Sequence, residues 1–112
     1  MKRDPSIIRE ILFALEDGAD DVFNSLFVCY PADVVYYHLV ILAEQGFISD
    51  VHCQKNHMGA VIGIYGDMEL TFSGHEFLDT IRPDGIWGKV KGYLATYSGP
   101  LSVQLIANLL TK

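Results

Sequence analysis

The stretch DVVYYHLVILAEQGFIS, residues 33–49, decides the fold. Val35, Leu39 and Leu42 recur at three- and four-residue spacing, the inward stripe of a helix over 32–45, with Val34, Tyr37 and Ile41 flanking it. Gly46 is placed to end that helix in the left-handed conformation that glycine adopts cheaply. FISDVHCQ and AVIGIYGDMELTF then read as two strands, joined by the loop Lys55-Asn56-His57-Met58-Gly59, with Gly63 and Gly66 marking a bulge or a break near Tyr65. A helix running into a hairpin is the order of a recognition helix and wing in a winged-helix domain. Yet the opening stretch holds no lysine and no arginine.

Upstream, Asp4 can cap a first helix. Pro5 suits its first position, and Ile7, Ile8, Ile11, Leu12 and Leu15 form its apolar stripe up to Asp17-Gly18. ADDVFNSLFVCYP follows; its aromatics and valines predict an extended segment over 26–30, before Pro31. Downstream, LTFSGHEFLDTIR opens another helix. Ser73 with Glu76 fits a capping box, Thr71 is the alternative cap, and Phe77, Leu78 and Ile81 form the buried face. Pro83-Asp84-Gly85 breaks it, and a helix from Ile86 to about Tyr97 turns Trp87, Val90 and Leu94 inward. After Ser98-Gly99-Pro100, LSVQLIANLLTK carries seven apolar residues in its first ten and no charge before Lys112. A helix apolar on most of its circumference is buried on more than one side. Leu101, Leu105, Ile106, Leu109 and Leu110 are therefore the candidate self-association surface.

These elements predict an α+β fold: a winged-helix-like domain over 1–82 and a C-terminal helical extension over 83–112, packed as one compact unit. At 112 residues, half of them hydrophobic, the chain can bury a core without staples. No apolar run approaches the roughly 20 residues that cross a bilayer, and MKRDPSIIRE lacks a signal-peptide core, so a cytoplasmic protein without membrane association is expected. Cys29 and Cys53 match no common zinc spacing and are expected as free thiols.

The net charge is −6, and its distribution says more than its size. Residues 10–54 contain eight acids and no lysine or arginine. Binding to DNA rests on cations that neutralise phosphates, so this stretch leans against it.

Three segments carry a resemblance: MKRDPSIIREILFALE, YYHLVILAEQGFIS and LTFSGHEFLDTIRPDGIWGKVK. They resemble a small family of bacterial and prophage proteins known as a domain of unknown function. Its members share a Met-Lys-Arg-Asp opening, a Tyr-His-Leu helix ending in Gly-Leu-Ile, and Leu-Thr-x-x-Gly-His-x-Phe-Leu-Asp followed by Trp-x-x-x-Lys. Here these fall on Met1 to Asp4, Tyr37 to Leu39 with Gly46 to Ile48, Leu70 to Asp79, and Trp87 with Lys91. The resemblance implies a winged-helix-like fold and a phage or mobile-element setting, and it implies no reaction. The segment 20–31 and the loop around Lys55 depart from the family pattern.

The helix over 32–45 turns Asp33, Tyr36, Val40 and Glu44 outward, and only Tyr36 suits a base edge. With Asp17, Asp20 and Asp21 these residues form the candidate protein-interaction face. DNA contacts, if any, would come from Tyr36, from Lys55, Asn56 and His57 on the wing, and from Lys89 and Lys91. A dimer could add Lys2 and Arg3. His52, Cys53 and His57 suggest a metal, but adjacent strand residues point to opposite faces and no fourth ligand is evident. In GHEFLD, Asp79 stands where a zincin has its second histidine. Glu76 is then a cap, Asp79 a solvated acid and His75 a residue packed near the sheet. His38 reads as a satisfied, partly buried histidine. Tyr36, Tyr37, Phe72 and Trp87 could line a small-molecule pocket, though such aromatics are more often core. Nothing forms a nucleophile elbow, a phosphate loop or a dinucleotide fingerprint.

The expected function is therefore non-enzymatic, with no cofactor and no metal: protein–protein interaction with a host or phage protein, together with homo-oligomerisation. The alternative is a dimeric winged-helix DNA-binding transcriptional regulator.

Overall fold

A computed structural model describes residues 2–111 as a mixed α+β domain. Helix α1 (Pro5–Asp17) begins where Asp4 accepts a hydrogen bond from the Ser6 N–H at 2.9 Å and ends at Gly18, whose φ of 80° is left-handed. Ile7, Ile8, Ile11, Leu12 and Ala14 are buried on its inner side, and Leu15 is half-buried.

The extended segment expected over 26–30 is helical instead. Two short helices, α2 (Asp20–Asn24) and α3 (Leu26–Cys29), occupy this stretch. Local β-propensity loses because no strand lies alongside to complete a ladder, whereas Asp20 and Asp21 favour a helical first turn. Leu26 is the anchor, and it is buried against the core.

Helix α4 (Ala32–Glu44) buries Val35, Leu39 and Leu42 completely. Gly46, at φ 78°, ends it in a Schellman turn: Phe47 N–H donates to Leu42 C=O and Gly46 N–H to Ala43 C=O, each at 3.0 Å. Phe47 is thereby turned inward and stacks on Phe77, with ring centroids 4.7 Å apart.

Four short strands follow. β1 (Ile48–Ser49) pairs antiparallel with β4 (Glu69–Leu70), and β2 (His52–Lys55) pairs antiparallel with β3 (Val61–Tyr65). The glycine-marked irregularities are both present. Ile62 is an extra residue between the Gln54–Gly63 and Lys55–Val61 pairs, and the chain breaks after Tyr65. Two residues with positive φ, Asp50 at 57° and Gly66 at 126°, face each other where one ladder gives way to the other. A Cβ on Gly66 would lie 2.0 Å from the Asp50 carbonyl oxygen, so only glycine fits. The Asp50 carboxylate accepts from the Asp67 N–H and from His52 Nε2, each at 2.8 Å.

Helix α5 (Phe72–Ile81) is capped by Thr71, whose hydroxyl oxygen accepts from the Gly74 N–H at 3.0 Å; the Ser73–Glu76 box does not form. Thr71 wins because its position also serves the sheet. Its hydroxyl donates to Gly46 C=O at 2.5 Å and its N–H to Phe47 C=O at 3.0 Å. The start of α5 is thus fastened to the end of α4. Phe77, Leu78 and Ile81 are buried as expected, but His75 is exposed rather than packed near the sheet. Asp79 is not simply solvated, since it accepts from Arg82 at 2.8 Å.

Helix α6 (Asp84–Thr96) starts two residues before Ile86 and buries Trp87, Val90 and Leu94. Helix α7 (Val103–Leu110), capped by Ser102, packs on α5 and α6 through the fully buried Ile106. Leu105 and Leu109 are half-buried, while Val103 and Leu110 remain 37% and 38% exposed. Within the chain α7 is therefore covered on one side. No helix among the described residues is long and apolar enough to cross a membrane.

The glycines make opposite predictions. In α5, a Cβ on Gly74 would lie 2.1 Å from the backbone oxygen of Phe47, so Gly74→Ala should cost about 1–3 kcal/mol or more. In α6, Gly88 and Gly92 are exposed with open space around them, so Gly88→Ala and Gly92→Ala should each stabilise by about 0.8–1 kcal/mol. Urea unfolding midpoints check both signs.

Candidate functional site

The outward side of α4 carries no cation. Asp33 and Glu44 are exposed, and Val40 is half-buried. Tyr36 is half-buried too, with its ring tilted against Phe27 at a centroid distance of 5.8 Å, and so is partly withdrawn from any groove.

The arginines are engaged within the fold. Arg3 donates to the backbone carbonyls of Tyr97 and, at 3.1 Å, Gly99. Arg9 donates to Arg82 C=O at 2.6 Å and to Asp84 at 3.2 Å, and it lies 5.1 Å from the ring centroids of both Phe13 and Trp87. Arg82 grips Glu16 with both terminal nitrogens and also reaches Asp79. That grip holds the Glu16 carboxyl below its usual range and pushes the guanidinium pKa up. Bidentate guanidinium–carboxylate pairs of this kind fix geometry as well as charge.

The described lysines are all exposed but scattered: Lys2 near the N-terminus, Lys55 at the end of β2, and Lys89 and Lys91 on α6. Two residues apart on a helix, Lys89 and Lys91 point about 160° away from each other. At the tip of the β2–β3 hairpin Lys55 and His57 are exposed. The Asn56 side-chain oxygen, by contrast, accepts from the Met58 and Ala60 N–H groups at 2.9 and 3.0 Å and shapes the turn.

Asp17, Asp20 and Asp21 are exposed around the junction of α1 and α2. The carboxylates of Asp17 and Asp21 accept from the Ala19 and Val22 N–H groups at 3.3 and 3.0 Å. One pair escaped sequence reasoning: Tyr30 donates its hydroxyl to Glu10, twenty residues earlier, and the bond to that carboxylate pushes the phenol up to about 12.

His52 pairs with Asp50 and stacks on Tyr65 at 5.2 Å. Among the described residues no three His, Cys, Asp or Glu side chains converge to hold an ion. Cys29 and Cys53 are unbridged and exposed, Cys29 on a helix rather than a strand. The aromatic quartet does not assemble. Phe72 is 80% exposed, Tyr37 lies edge-on to His38, and Trp87 sits beside Arg9. The cavity next to Trp87, bordered by Arg3, Ile8, Phe77 and Leu101, measures about 10 Å³, room for no more than one water.

Among the described residues His38 is the buried polar side chain of the core, 1% exposed. Its Nδ1 lies 2.7 Å from Val34 C=O, and its Nε2 accepts from the Asp4 N–H at 2.8 Å. That second bond requires an unprotonated Nε2, so the proton sits on Nδ1. Burial lowers the pKa of the ring.

Together these features define an acidic α+β domain whose arginines are structural and whose exposed charge is mainly carboxylate. The chain belongs to the family described as "Hypothetical protein (DUF2513)", which matches it over residues 2–100. It is also similar to an "Uncharacterized protein" of Haemophilus influenzae, at 32% identity over 110 residues, 95% of this chain and 89% of that protein. No solved structure matches.

The imidazole makes stability depend on pH. The unfolded chain protonates His38 near the ordinary value of about 6.5, while the folded ring resists until lower pH. Stability is therefore full above that value and falls as pH drops through the interval between the two pKa values. Thermal unfolding from pH 7.5 downward should show this loss, and the contribution of His38 should vanish in His38→Gln.

Proposed function

We propose that this chain is a winged-helix-like module of phage or prophage type that acts by protein–protein interaction, without catalysis, in the cytoplasm of a bacterial host. The element order supports the winged-helix reading: α1, the α2–α3 pair, α4 as the helix in the recognition position, then the β2–β3 hairpin as wing. On this reading residues 1–82 are the module and α6 with α7 is its extension. One observation carries the choice of partner class. The arginines, the residues best suited to phosphate and base edges, are held by backbone carbonyls and carboxylates inside the fold, while α4 offers Asp33 and Glu44. The face of Asp17, Asp20, Asp21, Asp33, Tyr36, Val40 and Glu44 is then the surface for a host or phage protein. The outer side of α7, with Val103 and Leu110 exposed and no charge before Lys112, suits a second copy. The rival reading, a dimeric DNA-binding regulator, draws on the exposed Lys55 and His57 at the wing tip.

Fluorescence anisotropy with sheared bacterial and phage DNA at about 50 mM salt separates the two. The module reading expects no binding. Binding that collapses as salt rises would replace it with the regulator. Sedimentation equilibrium tests self-association: a dimer is expected, shifted to monomer by Val103→Glu with Leu110→Glu, and a monomeric wild type would remove α7 from the reading.

A further inference from the structure

α1 and the α2–α3 pair enclose an open groove of about 470 Å³. Its apolar lining includes Phe13, Val22 and Leu26, and Val22 remains 38% exposed. Its acidic lining is Glu10, Glu16 and Asp17, and among the described residues no lysine, arginine or histidine lines it, although Arg9 and Arg82 lie over the Phe13 ring at 5.1 and 5.5 Å from its centroid. Glu16 is neutralised by Arg82. Among the described residues neither Glu10 nor Asp17 has a cationic partner, since Glu10 meets the Tyr30 hydroxyl and Asp17 a backbone N–H. A second groove of about 390 Å³ lies on the other side of α2. It shares Ala14 with the first and adds Asp20, Asp67 and Glu69, again without a cation. With Glu16 set aside, the two grooves present five carboxylates around α2, a field that draws cations to this end of the molecule.

We propose that the groove between α1 and α2–α3 receives a cationic amphipathic helix of a partner protein, its apolar stripe on Phe13, Val22 and Leu26 and its lysine or arginine heads against Glu10 and Asp17. This rests on the reading of the domain as a protein-binding module and specifies its surface and the chemistry of its partner. Lysine and arginine suit the site because their aliphatic stems lie along apolar surface while their charged ends reach a rim. A helix laid in a groove anchors at i, i+3, i+4 and i+7, and the apolar lining with its carboxylates fits that pattern. A second copy of this chain is the wrong occupant. Its lysines are dispersed, Lys89 and Lys91 point apart around α6, and the apolar stripe of α7 has no cation beside it before Lys112.

Cys29 lines this groove and is exposed, whereas Cys53 is on β2, so the two thiols report separately. The probe is a synthetic helical peptide with leucines on one face and lysines flanking them; its twin carries glutamates in place of the lysines. In Cys53→Ser, with the lysine peptide at about ten times its Kd, reaction of Cys29 with a thiol reagent should slow about tenfold, because only unoccupied protein reacts. The glutamate peptide should give no protection, and Cys53 in Cys29→Ser should react at its free rate throughout. Asp17→Lys combined with Val22→Asp changes exposed side chains and should abolish protection while the thermal midpoint holds. Unslowed labelling of Cys29 by the lysine peptide, equal protection by the glutamate twin, protection of both thiols, or a Cys29 already shielded in a dimer would each overturn the proposal. If the protein still dimerises and ignores DNA, that failure belongs to the groove alone. Salt-sensitive DNA binding would remove the module reading along with it.

Discussion

The imidazole of His38 fastens the two helices around which the rest is built. A buried polar side chain destabilises a core unless its hydrogen bonds are made, and both ring nitrogens are satisfied, one by Val34 in its own helix and one by the Asp4 N–H. Asp4 is also the cap of α1, so one side chain sets the start of α1 against the middle of α4. Once α1 is placed, Arg3 and Arg9 reach the turns that begin and end α6, and Arg82 closes back on Glu16. Much of the helical half is thus tied by bonds from α1 and the two residues before it, with Thr71 fastening α5 to α4 separately.

The same arrangement explains the surface. Three arginines point to carbonyls, carboxylates and aromatic rings within the fold, which leaves the acids outside with few counter-charges. Net charge alone would describe an acidic protein. The placement of the arginines describes a set of fasteners that tie the fold to itself, while the described lysines lie scattered and exposed among a larger number of exposed carboxylates.

The long helices were legible because their apolar residues repeat at helical spacing over three turns, and the hairpin because Gly46 and the loop at 55–59 punctuate it. The stretch over 26–30 was misread because Phe27, Val28 and Tyr30 have strand-like propensity, while the absence of a strand to pair with is a tertiary fact. Ser73 and Thr71 are equally good caps on paper. Thr71 was chosen by its bond to Gly46, 25 residues away in the chain. The candidate site divides in the same way. The acids of α2 and α4 are plain in the sequence, but the groove lined by Glu10 brings α1 together with α2 and α3, a tertiary arrangement that no local pattern signals.

Asp50 and Gly66 give the β2–β3 hairpin a further property. The direction in which the β2–β3 hairpin leaves the body is set where these two backbones meet, at a contact too close for any side chain on Gly66. The tip at 56–60 takes no part in that junction. Aim and tip are therefore separable quantities: the tip can change its length and chemistry without touching the junction, whereas the junction admits no side chain on Gly66.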